Sequence, residues 1–488
     1  MKKIVIVGAG ITGLAFAYEC LLRKHQVLIV EKTFEVGGLA RTVTHNDCLL
    51  DIGVHLLYLK DPEVRKKVEE LISPEEWLRV KRNGKLYLKS RYIDWPPTLR
   101  SPFQFPFSFS FRVLLDQILK TRSDGVVGNY ESEILSIYGP TLYHSFFEPL
   151  TKKFLKVDPK SVHSDWAFSS LRSATKIEDK SFAQSYKYLT QTTDANAKND
   201  FNIFKFLLQS LKTNREKEHF YYFSDGFGVL AEAYKKKILQ LGGQILLGKS
   251  ATALTVKENR ISQCNIDGQT YDIDELVWTG NPFALCQLLN IDSPRLEFLH
   301  SKFVYVFLRK CLKEHQTCYY ADSNVSFVRG TILSNHSKDI IRNKNISDIV
   351  CLEYTHKSLE EMNANAENIK LSITAELKKV KLIDHDDDVE SVFEIKAPYS
   401  YPILTTDYRE KIAALQEQLS RFAGLISIGR QATFNYENSD VIIKNVLHHP
   451  MFHPDDAHHD AGKSSANNFM EKGDPQRCQD KMGKSLKS

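Results

Sequence analysis

The chain has 488 residues, enough for two or three domains with sizeable cores. It is 42% hydrophobic, and it has none of the runs of about 20 apolar residues that a membrane-spanning helix needs. A net charge of +5 spread along the chain argues against nucleic acid as a partner, and eight scattered cysteines without a C-x-x-C fit a reduced, cytoplasmic setting better than a disulfide framework or a zinc site.

Ile4, Val5, Ile6 and Val7 form a β-branched run of the kind buried on both faces of a parallel sheet. Gly8, Gly10 and Gly13 follow as G-x-G-x-x-G. The first permits a tight turn, the second admits a pyrophosphate, and the third lets helix pack closely on strand. Thr12 to Arg23 reads as a helix whose N-terminus faces phosphates, and Val27 to Val30 as a second strand ended by Glu31, whose carboxylate can accept ribose hydroxyls. A secretory signal needs neither the glycine spacing nor that acid, so the stretch is read as folded. Gly8, Gly10, Ile11, Thr12, Gly13, Glu31 and Lys32 are the expected dinucleotide contacts.

A second glycine pair comes at once, in Phe34-Glu35-Val36-Gly37-Gly38-Leu39-Ala40-Arg41-Thr42. This segment resembles the GG-x-x-R-[ST] of the flavin amine-oxidase superfamily. The resemblance implies FAD rather than NAD, with Gly38, Leu39 and Arg41 along it. Asp51-Ile52-Gly53-Val54-His55 is similar to the D-x-G-x-H that the superfamily places beside the flavin. UDP-galactopyranose mutases continue it as H-x-x-H, where this chain has Tyr58.

Asn83-Gly84 between apolar positions predicts a β-hairpin within 80–87. Phe103, Phe105, Phe107, Phe109 and Phe111 recur at period two among prolines and serines, which reads as an irregular aromatic cap, as a wall over a substrate, or as a contact for a lipid-linked one. Tyr138 to Phe154 resembles the mutase run Y-x-x-F-F-x-x-Y-T-x-K-x-W, with Phe154 in place of tryptophan and Arg172 as the match to an arginine of the sugar-nucleotide site. Residues 176–219 are polar and read as an exposed excursion.

Asp225-Gly226 predicts a turn before a helix over 229–241, and the stretches 251–256, 260–266 and 270–272 a small meander feeding a strand over 276–280. Arg329 follows an apolar stretch at the place where mutase-like proteins offer an arginine to the diphosphate. Glu353 and Tyr354 end an apolar strand, a common place for pocket residues. Ala397-Pro398-Tyr399-Ser400-Tyr401-Pro402 looks like the family's A-Y-P segment. Gly429-Arg430, Phe434-Asn435-Tyr436 and Ser439-Asp440 match G-R-x-x-x-[FY]-x-Y-x-x-x-D, with Ser439 or Asp440 expected to cap a last helix aimed at the flavin. Beyond Leu447 the chain is polar and histidine-rich and reads as a disordered tail.

The expected fold is α/β: a split Rossmann-type FAD-binding domain (1–60, 221–299, 396–447) with a mixed α+β substrate domain (61–220, 300–395) and a tail at 448–488. The resemblance implies His55, Arg172, Arg329 and Tyr399 as catalytic residues, and Gly429, Arg430, Tyr436 and Asp440 as further cofactor contacts. It leaves three functions open: a sugar-nucleotide mutase, an amine-, protoporphyrinogen- or phytoene-type oxidase, and a flavoprotein kept as a binding subunit. The expected partner is a small molecule, with no nucleic acid and no metal.

Overall fold

We describe residues 1–95, 101–119, 128–167, 219–364 and 368–452 of the computed structural model. The β-branched run at the N-terminus becomes the strand Lys3–Val7, at the centre of a parallel sheet of five. Its neighbours are Gln26–Glu31 on one side and Glu275–Trp278 on the other; Gln244–Leu247 and Leu425–Ser427 form the edges. Pieces of chain more than 400 residues apart thus share one sheet, as the split Rossmann reading expects. The helix Ile11–Leu22 packs over it and is buried at eleven of its twelve positions. The meander forms as Ala251–Lys257, Arg260–Ile266 and Gln269–Asp272.

The second domain is a mixed sheet of seven strands. Its order is Val389–Ile403, Glu297–Leu308, Asp348–His356, Arg329–Ile332, Thr317–Tyr320, Gly84–Leu88 and Arg91–Trp95. Glu297–Leu308 is buried at all but its first residue, because strands flank it and side chains cover both faces. The strand Val389–Ile403 runs beside Glu297–Leu308 from end to end, with register shifts between Leu299 and Ser301 and between Phe307 and Leu308.

Three expectations change. Asn83-Gly84 makes no hairpin: Trp77–Lys81 pairs with His219–Phe223, while Gly84–Leu88 joins the large sheet. Asn83 is the crossing point, donating its backbone N–H to Gln316 Oε1 and its side-chain amide to the Glu314 carbonyl. The tight turn falls instead at Lys89-Ser90, both at positive φ (52° and 60°). The phenylalanine run is helical, as Ser101–Gln104 and Phe107–Ile118, so its period of two sends rings to opposite sides. The chain also stays packed past Leu447: Phe452 is buried, its ring 4.8 Å from that of Phe16 on the first helix. Arg172 and the rest of the tail, 453–488, lie outside the described residues.

Asp51 joins the two domains. Buried at the end of the strand Cys48–Asp51, its carboxylate accepts hydrogen bonds from Thr42 Oγ1 (2.6 Å), the Phe227 amide (2.9 Å) and the Tyr222 hydroxyl. Its carbonyl accepts from Tyr305 of the large sheet (2.6 Å). Burial pushes the Asp51 carboxyl up, and those three donors oppose the shift. Asp51→Ala would leave several buried donors without an acceptor, so a loss of about 2–5 kcal/mol is expected in chemical denaturation. Asp225→Ala, which breaks an exposed pair with Arg342, is expected to cost under about 1 kcal/mol. Equal losses would deny Asp51 this role.

Candidate functional site

The glycine loop has the shape a dinucleotide needs. Gly8 has φ +106°, and a Cβ there would meet Thr279 Oγ1 at 2.3 Å. A Cβ on Gly13 would lie 2.0 Å from the Gly8 carbonyl oxygen, so only glycine lets the helix start so near the strand. Gly10 differs: nothing lies within 4 Å of its would-be Cβ, which leaves room for a ligand above the first turn. There the amides of Ile11, Thr12 and Gly13 precede the helix's own hydrogen-bond ladder. Glu31 lies beside the loop, its Oε2 accepting from the Ala9 amide (2.8 Å) and its Oε1 from the Thr33 amide and hydroxyl (2.9 Å each). A carboxylate has about four acceptor positions, so capacity remains for a ribose hydroxyl. The loop, the amides and this acid fit the ADP half of FAD.

Gly37-Gly38 closes the cradle from the other side. Gly10 and Gly37 form a bridge, and a Cβ on Gly38 would lie 3.3 Å from Gly10 Cα. Leu39 is partly buried and packs against the core between the domains. Lys32 is exposed. Arg41 is turned aside: its Nη1 donates to the Gly38 carbonyl (2.9 Å) and its Nε lies 3.4 Å from Glu35. It lines a charged groove of about 730 Å³ with Glu232, Lys236 and Arg342, apart from the glycine loop.

The C-terminal stretch returns to the cradle through Gly429 (φ +97°), where a Cβ would meet Thr12 Oγ1 at 2.5 Å. Arg430 follows. Its Nη2 donates to the Ser400 carbonyl (2.6 Å), and its guanidinium lies over the rings of Tyr436 (4.4 Å) and Tyr401 (5.1 Å). Asp440 lies in the first turn of the helix Ser439–Leu447, but neither it nor Ser439 is the cap. That position belongs to Asn438, because the helix starts two residues earlier than the apolar spacing implies.

Sheet register builds the other half of the site. Tyr319, Arg329 and Glu353 are direct neighbours across three adjacent strands. Arg329 Nη2 lies 2.6 Å from Glu353 Oε2 and 3.2 Å from the Tyr401 hydroxyl, which donates to Glu353 Oε1 (2.8 Å). Phe154 and Trp166 extend the ring cluster, Phe154 lying 5.0 Å from Tyr401 and Trp166 5.9 Å from Tyr436. Tyr399 is absent from this array. At 397–401 the strand bulges against Leu299–Ser301, with Tyr399 at φ +55°. The Tyr399 ring therefore packs on Phe298 and His300, and Tyr401 occupies the site instead. The bulge also supplies the Ser400 and Tyr399 carbonyls that hold Arg430 and Gln431.

His55 reaches the same place. Gly53 (φ +81°) backs onto the Phe303 ring, where a Cβ would come within 3.0 Å, and the chain then turns His55 toward the two arginines. Burial, and next the Arg430 and Arg329 charges, push its imidazole down to about 3, so it is neutral in ordinary buffers. Its Nδ1 is buried without a hydrogen-bond partner among the described residues, an orphaned polar atom that a ligand could satisfy. Tyr401 and Glu437 were not foreseen. Only the bulge distinguishes Tyr401 from Tyr399, and Glu437 lies between the motif residues Tyr436 and Asp440. Glu437 Oε1 accepts from the side-chain amides of Asn445 (2.9 Å) and Asn435 (3.3 Å). Burial pushes its carboxyl up to about 7, against the Asn445 hydrogen bond and the Arg430 charge.

A model of NAD(P)-binding Rossmann-like domains matches residues 6–71. Protoporphyrinogen oxidase 2, chloroplastic/mitochondrial, of Arabidopsis thaliana is 26% identical over 191 residues, 36% of this chain and 37% of that protein, so the match spans well under half of the relative. Among solved structures, reduced UDP-galactopyranose mutase superposes with a TM-score of 0.73 at 17% identity, covering 95% of this chain and 97% of that one. An Exiguobacterium protein described as a protoporphyrinogen oxidase gives 0.66 at 15% identity, covering 91% and 98%. The chain has the fold these proteins share.

Because the raised Glu437 carboxyl keeps its proton in the folded state while the unfolded chain releases it near 4.5, this group lowers stability as pH rises from about 4.5 to 7. Glu437→Gln removes that effect. Its stability relative to the wild type is therefore expected to improve between pH 5 and pH 8 by roughly 2–4 kcal/mol, at about 1.4 kcal/mol per unit. A pH-independent difference in denaturation midpoints would show that Glu437 titrates normally.

Proposed function

We propose that this protein is a cytoplasmic FAD-dependent enzyme acting on a sugar nucleotide, in the manner of a UDP-galactopyranose mutase. The observation that carries the reading is the charge of the inner site. Two guanidiniums, Arg329 and Arg430, converge on one tyrosine, Tyr401, beside a neutral His55. Glu353 is matched to Arg329, whereas Arg430 is held by a carbonyl and two ring faces, and Glu437, which feels the Arg430 charge, is half-protonated near neutral pH. A site with surplus, partly buried positive charge favours an anion, and a guanidinium fits phosphate oxygens with paired N–H groups.

Bound FAD would lie along the glycine loop and supply the reactive ring, redox or nucleophilic according to its oxidation state. The chain's own groups then bind and orient. Arg430 would hold the diphosphate. Glu353 and Tyr401 would fix the Arg329 fork so that its remaining N–H groups face the same phosphates. His55 Nδ1 would meet a polar atom of the ligand, and the rings of Phe154, Trp166, Tyr401 and Tyr436 would exclude water. Those rings also favour the runner-up, oxidation of a hydrophobic amine, porphyrinogen or polyene.

Arg329→Ala is a poor probe, since it strands the buried Glu353 at about 3–5 kcal/mol in stability. Arg430→Ala and Arg329→Lys are better. In the anaerobically reduced protein, UDP-galactose is expected to shift the flavin spectrum, less so at high salt. Either variant should keep its flavin and bind the sugar nucleotide more weakly by roughly 2–4 kcal/mol. A wild-type protein that ignores UDP-sugars in both redox states, yet whose oxidised flavin is bleached by a hydrophobic amine or porphyrinogen, would decide for the oxidase.

A further inference from the structure

The helix Phe107–Ile118 is apolar on two opposite faces, and among the described residues only one of them packs into a core. Phe109 is buried, with Phe105 and Val113 packed beside it in the main core. On the other side Phe107 is 85% exposed and Ile118 62%, with Phe111 and Leu114 between them also exposed. At about 100° per residue, positions 107, 111, 114 and 118 fall within one stripe about 60° wide. Phe103, 87% exposed one turn earlier, and Leu119, 71% exposed, extend the patch at its two ends. Phe107 and Phe111 stack on each other, centroids 6.2 Å apart, and no other described ring contacts either. Scattered exposed apolar residues are ordinary, but four large ones on about three turns, with one more at either end, mark a contact surface.

We propose that this stripe docks the protein on the surface of an anionic phospholipid bilayer. Charge selects the occupant. Among the described residues from Lys89 to Leu119, the exposed charged side chains are Lys89, Arg91 and Arg112, all positive. Across 89–122 the sequence holds six lysines and arginines against two aspartates, and both aspartates are engaged with protein. Asp94 pairs with Lys85, and Asp116 accepts the Thr141 amide (2.7 Å). A second copy of the chain, packed stripe to stripe about a two-fold axis, would set this cationic rim against itself. A bilayer rich in acidic headgroups takes up the rings and the cations together. Twelve residues are too few to cross a bilayer, and no helix among the described residues is long and apolar enough to do so, so the contact lies in the interface plane. The inner face of the helix packs into the same core cluster as Phe154, which touches the Tyr401 ring, so the docked element belongs to the substrate side of the molecule. The proposal does not depend on which substrate is used.

Flotation of the full-length, flavin-loaded protein with phosphatidylcholine vesicles, with and without phosphatidylglycerol, tests it. Recovery with the phosphatidylglycerol vesicles is expected, reduced by salt and by Arg112→Glu, and at least about tenfold weaker for Phe107→Ser/Phe111→Ser/Ile118→Ser. That variant should keep its flavin content and circular dichroism, since the replaced side chains face solvent. Three results overturn the proposal. The first is a wild type that fails to float with the acidic vesicles while remaining a monomer by light scattering, which denies the stripe a membrane role. The second is a dimer that the triple variant dissociates, which assigns the stripe to a second copy. The third is a triple variant that floats as well as the wild type, which moves any membrane contact elsewhere.

Discussion

A single buried carboxylate, Asp51, holds the two halves of this molecule in register. Its oxygens accept from the start of the hairpin strand at Thr42, from Tyr222 and from the turn at Phe227, while its carbonyl accepts from Tyr305 in the large sheet. Two residues on, Gly53 is pressed against Phe303 of that sheet, and two further on His55 enters the site. The glycine-loop cradle and the large sheet could not keep a common geometry if this joint slipped, because an unpaired acid and its unpaired donors would all be buried together. The D-x-G-x-H motif thus contains the joint and the candidate-site histidine at once.

The candidate site is electrostatically uneven by construction. Arg329 is matched in charge by Glu353 and braced by Tyr401. Arg430 has a carbonyl and two aromatic faces, which orient a guanidinium without neutralising it. The same positive field, added to burial, keeps His55 neutral, and burial leaves Glu437 reluctant to ionise. The Glu437 shift has the sign that leaves Arg430 with less counter-charge, whereas the His55 shift keeps the imidazole from adding a further cation.

Much of this architecture was legible because it rests on local constraints. Gly8 and Gly13 are demanded by clashes within one strand–turn–helix unit, so their spacing announces the fold before any contact is known. Gly429, Arg430 and Tyr436 lie within eight residues and work together, so their motif could also be read. The misreadings share a cause. Asn83-Gly84 carries a hairpin signal, but the preceding strand finds its partner about 140 residues later, at His219–Phe223. The period of two in the phenylalanines suits a strand, yet a helix forms that buries one set of rings and leaves the other outside. Local pattern states which faces are apolar and does not state what will cover them.

By itself, then, the sequence determined the parallel βαβ unit, the dinucleotide loop and the return of the C-terminal segment to it, since backbone sterics over short spans admit few alternatives. Tertiary structure decided which tyrosine enters the site. Tyr399 and Tyr401 are equivalent in a regular strand, two residues apart on one face. The bulge opposite Leu299–Ser301 separates them, and it exists because strands nearly 100 residues apart must pair around it. Tertiary structure likewise placed Glu353 against Arg329, through the register of two strands that the sequence alone leaves free to slide.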